Sequence, residues 1–278
     1  MKFGRQPRKY DERVPKLSHL AKRLISPTEI PTHVDYGSKL PAWTGMFAND
    51  VLGDCTCAAV YHSLQVWSVN SNPPMDQDAD VRAIQLYEEC CGYVPSDPST
   101  DQGGIEQDVL SYWLNVGVPR GDSTQFTGRQ NLTAFVEVDQ RSLQNIKASI
   151  YEGGLVYIGF LVPSYFNFGR VWDINPQGDD TIVAGHAVIL TGYDDRTSRF
   201  KLLSWGQEYE MSYNFFLQFC DEAYFLVNAE WITPSGETPL GMDLDALEEA
   251  MRGLRWDWFS TQWFRRHRHV KKRRKRPA

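Results

Sequence analysis

An α+β chain in two lobes, helical first and β-rich second with a cleft between them, is what the sequence predicts, on three observations. Apolar residues recur at helical spacing over 54–68, 79–91 and 105–116. After Gly121 the texture changes to β-rich runs broken by Gly, Asp and Pro: LVYIGFLV (155–162), HAVILTGY (186–193), FKLLSW (200–205) and AYFLVNA (223–229). The chain has 278 residues, 42% of them hydrophobic, enough for one large domain or two small lobes sharing a core, and it shows no internal repeat. The expected division is a basic N-terminal extension over 1–29, a helical lobe over 30–120, a β-rich lobe over 121–240, and a C-terminal helix with a basic tail over 241–278.

The elements follow in order. Residues 1–29 begin MKFGRQPRKYDERVPKLSHL, which has the charges of a signal peptide but no apolar core behind them, so export by that route is not expected. Gly53 permits a tight turn, and Asp54 is placed to cap a helix carrying Ala58, Ala59, Leu64 and Trp67 on its apolar positions. SNPPMDQ (71–77) is a linker to the second helix. The stretch QEYEMSYNFFLQFCDEAY (207–224) has helical spacing, with Met211, Phe215 and Phe219 on one stripe suited to a core. MDLDALEEAMRGLRWDWFSTQWF (242–264) also has helical spacing and ends in aromatics.

Charge is unevenly spread. The whole chain carries 29 Lys/Arg against 35 Asp/Glu. Residues 1–23 hold eight bases and two acids, and 264–278 hold nine bases and no acid, so the body between them has 12 bases against 33 acids, a net of −21. Basic ends on an acidic body point to a nucleic acid or other polyanion, or to an acidic protein surface, as partner of the tail 264–278. The alternative is a solvated tail, or one that folds back on this chain's own acidic surface. No apolar run reaches 18 residues, so no membrane span is expected. The five cysteines are Cys55, Cys57, Cys90, Cys91 and Cys220. An odd number with no export signal points to reduced thiols, in the cytoplasm or within a virus particle. No CxxC pair is present and the histidines do not flank the cysteines, so no metal site and no cofactor are expected.

The segment GDCTCAAV (53–60) raises the chemical question. Cys55 falls in the first helical turn, where unpaired N–H groups and the helix dipole favour a thiolate, whereas Cys57 points about 200° around the helix towards the interior. A nucleophile also needs a base. His62 is two turns away, about 10 Å along the axis. His19 and His33 lie in the irregular N-terminal segment, and His267 and His269 in the basic tail. His186, opening a β run in the other half of the chain, is the candidate a two-lobed cleft brings to Cys55. The plain alternatives are a small buried cysteine and an ordinary strand histidine.

Five segments in order resemble papain-like cysteine peptidases. IPTHVDYGSKLPAWTGMFAND (30–50) is similar to the entry strand of the mature enzyme, and GDCTCAAV to the nucleophile turn and central helix. DQGGIEQDVLSYWLNVGVP (101–119) resembles the two-glycine cleft wall and its helix. LVYIGFLV followed by GHAVILTGYDD (185–195) resembles the strands leading to and carrying the histidine, and LLSWG (202–206) the strand end with the third catalytic residue. The nearest likeness is to papain-fold proteins of bacteriophages and bacteria that share an SWG segment followed by a DEAY-like one, here CDEAY (220–224).

The resemblance implies a papain-like two-lobed fold with a barrel-like second lobe. It implies Cys55 as nucleophile and His186 as general base and acid, with Asn49 and the backbone N–H of Cys55 as oxyanion hole. Gly103, Gly104, Gly185 and Trp205 would line the substrate site. The chain departs from the pattern in three places. Asn49 stands where the family has Gln, the orienting Asn falls on Leu203, and the family's second Trp-Gly pair is missing. Ser204 and Asp194 are the candidates to orient the imidazole instead. The 29 residues before Ile30 are too few for the usual folded propeptide, so a secreted zymogen is not expected.

Two functions remain open. One is a thiol hydrolase cleaving peptide bonds through a Cys–His acyl-enzyme, with Cys55 as the most reactive thiol at neutral pH. The other is a weak or inactive papain-fold protein, a structural subunit of a larger assembly such as a virus particle, anchored by its basic termini.

Overall fold

A computed structural model describes residues 1–18, 30–70, 79–121, 128–228, 231, 249–252 and 254. The helix over 54–68 is observed as α1 (Cys55–Asn70), the next as α2 (Asp80–Cys91) and the third as α3 (Glu106–Asn115). Every residue of α1 from Cys55 to Ser68 is buried, as expected of a helix enclosed on all sides rather than lying on a surface. Tyr157 ties its first turn to the sheet, donating its hydroxyl to Thr56 O at 2.8 Å. Trp67 anchors the other end, donating its indole N–H to Gly153 O at 2.7 Å.

Three short pieces, β1 (His33–Asp35), β2 (Val118–Pro119) and β3 (Arg129–Gln130), precede the main strands. These are β4 (Ala134–Glu137), β5 (Val156–Pro163), β6 (Val171–Trp172), β7 (Ile182–Asp194), β8 (Arg199–Ser204), β9 (Gln207–Ser212) and β10 (Cys220–Val227). Among the described residues they form one sheet in the order β4-β10-β5-β7-β8-β9-β6. β1, from the half expected to be helical, pairs antiparallel with the far end of β7, so the two halves share this sheet.

Two elements differ from the sequence expectation. Residues 207–224 are not one helix: β9 and β10 flank a short helix, α5 (Tyr213–Phe219), capped by Ser212 Oγ, which accepts the N–H of Phe215 at 3.0 Å. Met211, Phe215 and Phe219 are nevertheless all buried, and they meet in the core from a strand and a helix rather than along one helix. Helix α4 (Leu143–Gly153), capped by Ser142, falls inside the stretch expected to be β-rich. In the C-terminal region Met251 and Leu254 are buried helical residues. The basic tail 264–278, His19 and the linker 71–77 lie outside the described residues.

Candidate active site

Helix α1 begins at Cys55 because Asp54 O accepts the N–H groups of Cys57 and Ala58, at 2.7 and 3.0 Å. The Asp54 carboxylate does not cap the helix. It is buried beside Asn49, and burial raises its pKa well above the carboxylate range. Cys55 is 1% exposed, and its sulfur takes hydrogen bonds from the backbone N–H groups of Ala187 and Gly4. Ala187 follows His186 on β7, so the strand that carries the base candidate packs against the first turn of α1, while His186 Nδ1 makes no hydrogen bond to the thiol. Burial pushes the Cys55 thiol up to about 12, and the nearby Asp54 charge adds to this.

His186 is fully buried. Its Nε2 lies 2.8 Å from Ser204 Oγ, and its Nδ1 has no hydrogen-bond partner among the described residues. Trp205 stacks on the ring, centroids 4.3 Å apart and planes 12° from parallel. This follows from a tight turn. Ser204 pairs with Gln207, and the two residues between them, Trp205 and Gly206, both have positive φ, 46° and 71°. That is the pattern of a type I′ hairpin. It is ordinary for Gly206 but costs about 1–2 kcal/mol for a bulky residue; the turn places the indole over the imidazole. Burial, then the Arg5 charge, lowers the His186 pKa to about 3, so thiol and imidazole are both neutral at pH 7.

One site candidate is placed elsewhere. Asp194 sits eight residues further along β7, about 26 Å by strand rise. There its carboxylate binds Arg196 at 2.7 Å and lies 3.4 Å from His33, so it does not reach His186. Of the two orienting candidates, the structure brings only Ser204 to the ring. The Asn49 amide donates to Leu52 O at 3.0 Å, within its own turn. His62 belongs to a core network, 3.2 Å from Gln65 Oε1, while Gln65 binds Thr44 O at 2.7 Å.

The cleft holds residues 1–6 of the chain itself, which the sequence did not foretell. Gly104 donates to Gly4 O, and Gln6 donates to Gly104 O, both at 2.9 Å, in a parallel bridge. Arg5 donates its N–H to Gly185 O at 3.1 Å, and Lys2 donates to Asn49 O at 2.9 Å. Gly103, Gly104 and Gly185, expected to line a substrate site, therefore all face this segment, and Trp205 donates to Lys2 O at 3.3 Å. Phe3 sets its edge against His186 at 5.4 Å. Gly4 must be glycine, since a Cβ there would run into the Gly53 carbonyl.

Charge holds the segment as well. Lys2 pairs with Asp101, Arg8 with Glu137 and Lys9 with Asp108. Arg5 pairs with Glu106, Asp221 and Glu222. The basic N-terminus thus finds its acidic partner in its own body.

Among the described residues, one group offers three metal-ligand atoms: Cys57, Cys90 and Cys91, whose sulfurs lie within 4.8 Å of one another. Sequence spacing gave no sign of it, because the packing of α1 on α2 brings Cys57 to within 3.9 Å of Cys90. Among the described residues no helix is long and apolar enough to cross a membrane.

No family model and no curated protein matches this chain. Solved structures do. Xylellain, a cysteine protease from Xylella fastidiosa, aligns over 82% of this chain and 96% of its own, with TM-score 0.61 and 19% identity. A procathepsin B from Trypanosoma congolense aligns over 82% and 86%, with TM-score 0.56 and 12% identity. Bromelain from Ananas comosus, in complex with the E64 inhibitor, aligns over 72% and 100%, with TM-score 0.52 and 14% identity. With the Cys55 helix laid against the His186 strand across an α+β core, the chain has the papain-like cysteine protease fold.

Proposed function

We propose that the chain is a thiol hydrolase of peptide bonds, held shut in the described state by its own N-terminal segment. The observation that carries this is the placement of Cys55 beside the strand of His186, with Nε2 of that ring held by Ser204 and Nδ1 left without a partner. In the open cleft Nδ1 takes the Cys55 proton and the thiolate attacks the carbonyl carbon. The imidazolium returns the proton to the leaving amine, and water hydrolyses the thioester. The helix-start N–H of Cys55 is the proposed oxyanion donor, with Asn49, whose amide holds Leu52 O in the described state, as the candidate second donor. Gly104 and Gly185 already hydrogen-bond a main chain and Gly103 lets it approach closely, which supports a peptide rather than a small amide as substrate.

In the closed state a thiol near 12 and an imidazole near 3 leave proton transfer far uphill. Removing the segment rehydrates both groups and removes the Arg5 charge, so both values move towards their ordinary range. Hydrolysis of a mixed peptide pool by a chain with its N-terminal segment displaced, lost in Cys55→Ala, tests the reading.

The filled cleft also favours the second reading, an inactive papain-fold subunit of an assembly such as a phage particle. The tail 264–278, with nine bases and no acid, is the proposed anchor to a nucleic acid or acidic protein surface. Cys55 that stays inert after displacement would favour this second reading.

A further inference from the structure

The main-chain bonds between the N-terminal segment and the cleft would accept any peptide, so they read no sequence. One side chain is read. The guanidinium of Arg5 is fully buried, and its Nε lies 2.8 Å from Glu222 Oε1 and 3.1 Å from Glu106 Oε1. Its Nη2 lies 2.6 Å from Asp221 Oδ1 and also binds Glu222. The far oxygen of Glu222 is fixed by the hydroxyl of Tyr224 at 2.7 Å. The wall beside the guanidinium is Gly159 of β5, where a Cβ would collide with Arg5 Nε and Glu106 Oε1.

Three acids around one guanidinium exceed what neutralising that charge requires. Buried ion pairs are weak stabilisers, because desolvation offsets most of their attraction. Stability alone therefore does not account for the pocket. Recognition does: carboxylate oxygens from three residues line the Nε–Nη2 edge of the planar guanidinium, a geometry that fits a lysine ammonium poorly, while Nη1 has no hydrogen-bond partner.

We infer that Glu106, Asp221, Glu222 and Gly159 form the specificity pocket of the cleft, and that it selects an arginine of an incoming peptide in place of Arg5. This rests on the cleft being a peptide site, and it names the substrate class: peptides with an arginine preceded by a residue small enough to pass Gly53 and Gly103.

The test uses the full chain carrying Gly4→Ala, which expels the segment by collision with the Gly53 carbonyl and leaves the pocket intact. Fluorescent copies of MKFGRQPRKY, with the fifth residue as arginine, citrulline, lysine or leucine, are titrated by anisotropy. Removing one partner of a buried charge pair costs at least roughly thirtyfold in affinity. The arginine peptide is expected to bind that much more tightly than the other three, and Glu222→Gln should erase most of the difference. Arg5→Ala, which empties the pocket directly, serves as the second background. Equal binding of the arginine and leucine peptides in either background overturns the proposal. Hydrolysis without arginine preference overturns the pocket and leaves the hydrolase standing. Selective binding without hydrolysis supports the pocket and counts against the hydrolase.

Discussion

Ser204 Oγ lies 2.8 Å from His186 Nε2 and occupies the place where a longer amide side chain was expected from the neighbouring strand position. Leu203, at that neighbouring position, is buried in the core. In the proposed hydrolase the orienting role moves by one residue, to the last residue of β8 before the Trp205–Gly206 turn.

Ser204→Ala should therefore cut turnover of the opened chain by at least about tenfold, because the imidazole loses its orientation while the nucleophile is untouched. Leu203→Asn should give no gain. It places an amide in an apolar site and should lower stability by about 1–3 kcal/mol. Steady-state rates and urea unfolding of both variants check this. A faster Leu203→Asn enzyme would show that Ser204 does not fill the role.

In the wild-type chain at neutral pH, brief limiting alkylation should mark Cys91 before Cys55. Cys91 is half-buried, whereas Cys55 is buried and pushed up to about 12. This reverses the order expected from the helix start alone, because the Gly4 segment covers the thiol. Peptide mapping by mass spectrometry reads the order directly.

Acid should destabilise the fold through two histidines. Burial lowers His62 to about 4, against the pull of its Gln65 contact, and burial with the Arg5 charge lowers His186 to about 3. The unfolded chain takes up protons near 6.5 but the folded chain does not until pH 3–4. Stability is therefore lost as pH falls from 6.5 towards those values. At pH 4 the loss is about 3 kcal/mol for each histidine. His62→Gln should shrink the pH 7 to pH 4 loss in urea unfolding by about that amount. An unchanged pH dependence would contradict the buried neutral state of His62.

Much of this was legible in the sequence. The helices at Cys55, Asp80 and Glu106 had strong apolar periodicity between glycine and proline breaks, and the glycine and Trp-Gly segments marked the cleft. The N-terminal plug was not legible. Arg5 meets Glu222 across 217 positions, and the only trace was the basic end on an acidic body. Glu106 stands two residues after Gly104, and Asp221 and Glu222 sit in CDEAY, but nothing local joins them. Helix α4 left a signal that was passed over: Ser142 as cap, then Ile146 and Ile150 one turn apart, then Gly153 and Gly154. Residues 207–224 misled because Met211, Phe215 and Phe219 fall at i, i+4, i+8 although the backbone changes from strand to helix between the first and second.

The central claim is that a competent Cys55–His186 pair lies under a removable segment of the same chain. The most direct measurement is the rate of Cys55 alkylation at pH 7, mapped by mass spectrometry, in the wild-type chain and in Gly4→Ala. The account predicts that Gly4→Ala raises the Cys55 rate by about a hundredfold or more, roughly two units of lowered thiol pKa plus access, and makes it the first cysteine labelled. Equal slow labelling of Cys55 in both chains, with the Gly4→Ala cleft open to the peptide MKFGRQPRKY, would contradict it.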